Sequence, residues 1–218
     1  TYAEVMAYDT DAPIERQDIF YPSIGLFIAR SSSLSLAVKA GDNDDNHNHN
    51  DTGSFTLYKD GSPVFADIGV ESYCAKTFSS HRYEIWTMQS GYHNLPEIDG
   101  LDEHDGAQYR AAEVHTAMDA DSASISMELS GAYPLTAPVS YRRLVTLDKR
   151  GDRMTLTDRT DSSNVILNLI TYHKPQADGE TLHIGSASAA FSGAQLVAIE
   201  TLPITDRRLQ TAWDHDLY

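Results

Sequence analysis

The sequence predicts an all-β protein, a large antiparallel β-sandwich of roughly a dozen strands in one domain. Three observations predict it. Short segments alternate apolar with polar residues, or collect β-branched and aromatic side chains, as half-buried strands do. Turns rich in Gly, Asp, Asn and Ser separate them at short, regular spacing. No long stretch repeats apolar residues at the helical period of 3.6, and no internal repeat or Gly/Ser- or Pro-rich linker divides the 218 residues.

The elements follow in order. Residues 1 to about 20 carry no clear pattern and read as a lead-in or a frayed end. Residues 27–30 and 34–38 are the first strand pair. Residues 54–58 and 63–67 flank Lys59-Asp60-Gly61-Ser62, and the Asp-Gly tip is a strong hairpin signal because Gly accepts a positive φ without strain. Residues 113–117 and 124–128 repeat this grammar around Asp119-Ala120-Asp121, and residues 142–147 and 153–157 around Lys149-Arg150-Gly151-Asp152. Further strands are predicted at 165–172, 181–184 and 195–200. The tail, 206–218, contains Trp213 and Tyr218, suited to packing, with no final strand after them. The chain starts at Thr1 without a charged-then-apolar leader, which suggests a removed leader or an excised domain.

Composition narrows the function classes. Hydrophobic residues are 41% and charged residues 22%, ordinary values for a folded globular chain. There are 16 Lys and Arg against 32 Asp and Glu, a net charge of -16. Such a chain is a poor partner for nucleic acid, whose binding depends on neutralising phosphates, and for an anionic membrane surface. No apolar run approaches the ~20 residues of a membrane span. The single cysteine, Cys74, excludes an intrachain disulfide and a Cys-based zinc cluster, and reads as a small, half-buried residue.

The stretch richest in chemistry is residues 41–53, Gly-Asp-Asn-Asp-Asp-Asn-His-Asn-His-Asn-Asp-Thr-Gly. As composition it is a polar loop of Asx turns. In an extended segment, however, His47 and His49 project to one side with Cα atoms roughly 6–7 Å apart. They can share a metal, or one can bind metal while the other faces a substrate. Asp67 ends the apolar run Val64-Phe65-Ala66, where an unpaired carboxylate is costly, and His93 lies in Gly91-Tyr92-His93-Asn94-Leu95-Pro96. Two neutral imidazoles and one carboxylate, with water as a fourth ligand, form a reasonable zinc set. Spacing leaves the loop and metal readings both open.

The run Lys39-Ala40-Gly41 to His47-Asn48-His49-Asn50-Asp51-Thr52-Gly53-Ser54-Phe55 is similar to the central motif of the heparinase II/III-like polysaccharide lyases. The resemblance continues through Tyr58, Asp60-Gly61, Asp67-Ile68-Gly69, Tyr73, Thr77-Phe78, Arg82-Tyr83 and Ser90 to Pro96. It is densest from Tyr21 to Gly100 and thins toward the tail, where Asp206, Arg208-Leu209 and Trp213 retain it.

The resemblance implies an N-terminal α/α toroid joined to a C-terminal β-sandwich, with this chain corresponding to the sandwich and the toroid upstream. It maps one structural Zn²⁺ onto His49, Asp67 and His93, and a catalytic histidine onto His47. Tyr83 corresponds to a site tyrosine of alginate-type members, and Arg82 beside it is a substrate-binding candidate. The implied reaction is β-elimination across a uronic acid in a poly- or oligosaccharide, with the other site tyrosine and the carboxylate-neutralising Asn or His on the toroid. The isolated chain is then expected to be inactive. Family members often dimerise, and they occur in the periplasm, outside the cell and in the cytoplasm. A competing class is a non-catalytic carbohydrate-binding or scaffolding sandwich with a structural zinc.

Other residues receive plainer readings. A charge of -16 repels highly sulfated chains and favours a less charged uronate glycan, with Arg82, Arg110, Arg142 and Arg143 as local cations. In a strand, one of Arg142 and Arg143 faces solvent. Trp86 reads as core rather than a sugar platform. His104, His115, His173, His183 and His215 read as ordinary histidines. Asp44-Asp45 and Asp102-Glu103 read as solvated turns, and Asp51 as a turn former or a carboxylate that fixes a histidine tautomer.

Overall fold

The computed structural model describes residues 17–218. Strands β1 (Ile19–Tyr21), β2 (Leu26–Arg30) and β3 (Leu34–Lys39) are followed by the two-residue β4 (Asp42–Asn43) and the hairpin of β5 (Phe55–Lys59) and β6 (Ser62–Phe65). Four short 3₁₀ turns fill Ala75 to Tyr92. Then come β7 (Pro96–Ile98), β8 (Gly106–Arg110), β9 (Ala112–Met118), β10 (Ser122–Glu128), β11 (Tyr141–Asp148), β12 (Arg153–Thr160) and β13 (Val165–Leu167). A small meander of β14 (Gln176–Asp178), β15 (Thr181–Ile184) and β16 (Ala187–Ala190) follows.

Two antiparallel sheets carry the architecture, in the orders β1-β2-β3-β5-β6 and β12-β11-β10-β9. Their strands alternate as a sandwich requires. In β10 every second residue, Ala123, Ile125 and Met127, is buried, and in β2 Phe27 and Ala29 are. These side chains join Leu36, Val38, Phe55, Val145 and Leu147 in one core between the sheets. Each large apolar side chain so buried stabilises the fold by about 1.5–3 kcal/mol. A second cluster of Ala66, Ile68, Ile170, Leu209, Trp213 and Leu217 packs the tail against the segment after β6. No helix among the described residues is long and apolar enough to cross a membrane.

The all-β expectation holds, with sixteen short strands among the described residues instead of about twelve. The hairpin at Asp60-Gly61 forms as read, both residues having positive φ, 50° and 80°. Three expectations change. The lead-in reading of residues 1 to about 20 lies outside the described residues as far as 16, and Ile19–Tyr21 is an edge strand on β2. The strand predicted at 165–172 stops at Leu167, because the Ile170 N–H turns to the Asn94 side chain instead of a ladder partner. Residues 195–200 form no strand: Val197 is 75% exposed, and apolar residues with no sheet face to cover do not hold an extended segment.

Candidate functional site

The histidine loop runs between β4 and β5 and is fixed from beneath. Glu103, buried, accepts from the Asn43 side chain at 2.9 Å and the Thr52 N–H at 3.0 Å, while Thr52 Oγ1 donates to Asn43 Oδ1 at 2.9 Å. Asn50 is held at both ends, its N–H on Met88 O at 2.9 Å and its side-chain amide on Glu103 O at 3.1 Å. Gly53 takes φ +93°, and a Cβ there would meet Leu129 at 2.6 Å, so this corner requires glycine. Burial raises the Glu103 carboxyl to about 8, against the opposing hydrogen bond from Asn43. The reading of Asp102-Glu103 as a solvated turn is therefore corrected: Glu103 points inward and ties the loop to the residues after β7.

A second anchor comes from the other sheet. Arg143 on β11 is 1% exposed. Its Nε and Nη2 pair with the Asp158 carboxylate at 2.9 and 2.7 Å, and its Nη1 donates to Gly53 O at 2.9 Å and Asn94 O at 2.8 Å. One guanidinium thus ties the end of the histidine loop to the residue after His93. One of the two arginines faces solvent as expected, and it is Arg142, which pairs with Glu113, while Arg110 pairs with Asp42. Arg143 is accordingly withdrawn from the cations that face a glycan.

Three of the predicted residues come together on this base. His93 is fully buried and its Nδ1 lies 3.1 Å from Asp67 Oδ2. Asp67 Oδ1 accepts the Gly69 N–H at 2.9 Å. The His49 and His93 ring centroids are 5.4 Å apart. Burial, and then the His93 charge, push His49 down to about 4, so its imidazole is neutral near pH 7. Burial acts to raise the Asp67 carboxyl, but His93 more than offsets it and holds the group well below the usual range. Burial acts most strongly on His93 and lowers it, but Asp67, with smaller contributions from Asp51 and Glu103, leaves it raised.

Does this set fit zinc? Among the described residues, no group of three or more His, Cys, Asp or Glu side chains converges as a preformed cage. The donor types nevertheless suit the ion, and His93 Nε2 is buried with no hydrogen-bond partner in the chain, an orphan that an added ligand would relieve.

His47 stands apart. It is exposed, with φ +62°, the left-handed region that costs a non-glycine residue free energy. Its ring lies nearly parallel to Tyr73, centroids 6.0 Å apart, with Tyr73 Oη 3.5 Å from Nδ1. Tyr83 does not touch His47; its hydroxyl meets the Asn48 side-chain amide at 3.4 Å. Arg82 braces the same loop, donating from Nε to Asn48 O at 2.9 Å and from Nη1 to Thr77 O at 3.0 Å, while its buried Nη2 has no partner.

Several neighbours differ from the sequence reading. Of the two readings of Asp51 the turn former holds: its carbonyl accepts the Ser54 N–H at 3.0 Å, and its carboxylate pairs with Lys39 and not with a histidine ring. Cys74 is exposed, since it caps a 3₁₀ turn at the surface, not half-buried. Trp86 is half-buried, its Nε1 on Glu71 at 2.7 Å, at the margin of the second cluster. Neither Asn94 nor Glu103 is expected from the sequence as an anchor of the site, and Arg143 is expected as a glycan-facing cation rather than a buried one. Asn94 donates to Phe55 O and Ala66 O and accepts from Ile170, which explains an Asn directly after His93.

Comparisons with known proteins agree with this architecture. The family described as heparinase II/III-like, C-terminal, matches residues 13–168. No curated protein matches. Among solved structures, the heparan sulfate lyase HepC from Pedobacter heparinus superposes with a TM-score of 0.63 at 16% identity, over 83% of this chain and 29% of that one. A heparinase III superposes with a TM-score of 0.56 at 17% identity, over 78% and 28%. The chain thus spans less than a third of the length of either protein.

Proposed function

The chain belongs to the heparinase II/III-like family through its C-terminal domain, and on that premise we propose that it is the sandwich part of a lyase that cleaves uronate-containing glycans by β-elimination. The observation that carries this reading is the contrast between adjacent histidines. His49 is turned inward beside His93 and Asp67, whereas His47, two residues earlier, is an exposed imidazole on a loop braced from below.

In this reading His47 takes the C5 proton of the uronate. The C5–H electrons form the C4–C5 double bond, the C4–O bond breaks, and the departing oxygen receives a proton from an acid outside this chain. The C5 proton is labile only when the neighbouring carboxylate is neutralised, so donors must face that group. Those donors, and the site tyrosine, are assigned to an upstream toroid. Tyr83 and Arg82 support the reading as braces of the loop that carries His47, both meeting Asn48. His49, Asp67 and His93 would hold one zinc ion per chain, whose contribution is to lock the loop rather than to activate water.

The test uses the full-length protein. Wild type should release unsaturated uronate, read by its ultraviolet absorbance. His47→Ala should abolish turnover with zinc content and folding unchanged, whereas His49→Ala should lose about one zinc per chain. Full turnover in His47→Ala would refute its role. A zinc-loaded wild type that binds glycan but never cleaves it would favour the non-catalytic binding module.

A further inference from the structure

The tail of the chain returns to the site. Asp206 Oδ1 accepts the Ser72 N–H at 3.0 Å and the Ser72 hydroxyl at 3.2 Å, and also the N–H groups of Arg208 and Leu209 at 2.8 and 3.3 Å. Leu209 is 2% exposed within the second core cluster. Arg208 is therefore held between two anchors, a carboxylate clamp on one side and a buried side chain on the other. Its guanidinium carbon lies 4.6 Å from the centroid of the Tyr73 ring. Tyr73 in turn is the ring that lies parallel to His47.

Two facts make this more than a surface contact. First, Arg208, like Arg82, Arg159 and Arg207, has no ion pair among the described residues, whereas Arg110, Arg142, Arg143, Arg150 and Arg153 each have a carboxylate within 4.0 Å, and of the four it is the one seated on an aromatic ring. The nearby Asp206 carboxylate takes its backbone and hydroxyl donors on Oδ1 and makes no ion pair with Arg208. Second, the surroundings are open and aromatic. Tyr73 is 43% exposed, and Phe78, packed edge-on to it, is 69% exposed. A cation seated on the aromatic ring that also lies parallel to an exposed imidazole suits an anionic group of a sugar.

We propose that Arg208, seated on Tyr73, forms a subsite for the anionic group, carboxylate or sulfate, of a sugar bound next to His47. The ligand class rests on the lyase reading; the position of the cation does not. Arg208 acts by binding and orienting the glycan. The Asp206–Ser72 clamp is a positioning element that keeps the guanidinium over the ring.

The experiment measures equilibrium binding by full-length protein carrying His47→Ala, so that no cleavage intervenes. The probes are an unsulfated uronate tetrasaccharide, its sulfated counterpart and a neutral tetrasaccharide of glucose. Arg208→Gln is expected to weaken binding of at least one charged probe by about tenfold or more and leave the neutral probe unchanged. Arg207→Gln, which removes the same charge from the adjacent exposed residue, should leave all three unchanged. Equal losses for both charged probes assign the carboxylate, and loss for the sulfated probe alone assigns the sulfate. The subsite is overturned if neither charged probe binds, if Arg208→Gln binds as the parent does, or if Arg207→Gln loses as much. Turnover of the wild type separates the two readings. Binding through Arg208 without any unsaturated product would sink the lyase and keep the subsite. Turnover with an unchanged KM in Arg208→Gln would do the reverse.

Discussion

The two histidines of the loop divide the site into a buried half and an exposed half. Below lie His49, Asp67, His93, Asn94, Glu103 and Arg143, and the last three fasten one backbone segment to another across long sequence separations. Above lie His47, Tyr73, Phe78 and Arg208, which touch one another mainly through ring faces and are largely open to solvent. The contrast separates rigidity from reactivity. A base that meets a polymer has to be accessible, and accessible side chains do not fix their own position, so the layer beneath fixes the backbone for them. Substitutions below should therefore act on stability, and substitutions above on turnover and binding.

The largest effect is expected at Arg143. Its removal leaves the part-buried Asp158 carboxylate with the Tyr141 hydroxyl as its remaining donor and no cation, and Gly53 O and Asn94 O without their donor. Arg143→Met should cost about 3–5 kcal/mol in urea unfolding, a large part of a domain's total stability. A loss under about 1 kcal/mol would mean that the two loops hold themselves and that the buried layer is not what fixes His47.

How legible was this division? The sheets were, because alternation in 122–128 and 141–148 and the Asp60-Gly61 tip are local signals. Pro96–Ile98 was not, since three residues carry no period and its partner strand is Val165–Leu167, far along the chain. The zinc-type trio was suggested by residue type and by resemblance, and the structure brings its members side by side. The anchors were harder to see. One of Arg142 and Arg143 had to face inward, but nothing local reveals that its acceptors lie 90 and 49 residues away. An Asp-Glu pair likewise reads as solvated until the fold covers it, as it does Glu103.

Glu103 should give an intermediate effect with a definite pH signature. Its carboxyl titrates at about 8 in the fold, raised by burial from an ordinary value of 4.5. Between these values the folded state keeps a proton that the unfolded chain releases. Its contribution to stability is complete below pH 4.5 and is lost as the pH climbs through about 8. Asp51 reinforces the shift and Lys39 opposes it. Glu103→Gln keeps an acceptor for Asn43 and Thr52 and cannot titrate. Relative to this variant, wild type should lose on the order of a few kcal/mol between pH 5 and pH 8.5. Parallel stability curves would remove Glu103 as a titrating anchor.

The smallest stability effect is expected at His47, where the comparison is sharpest. The ring is exposed and, among the described residues, its only hydrogen-bond neighbour is the Tyr73 hydroxyl at 3.5 Å, so little packing is lost with it. The backbone at φ +62° is one that glycine adopts freely. His47→Gly trades a strained conformation for greater freedom in the unfolded chain, and the two terms nearly cancel. Stability should stay within about 1 kcal/mol of wild type. In the full-length protein the same substitution should end turnover. On the proposed reading, the strained backbone at His47 serves to present its side chain. If His47→Gly instead cost more than about 2 kcal/mol, the left-handed histidine would be a structural corner like Gly53, and the boundary between the two halves would have to be drawn above it.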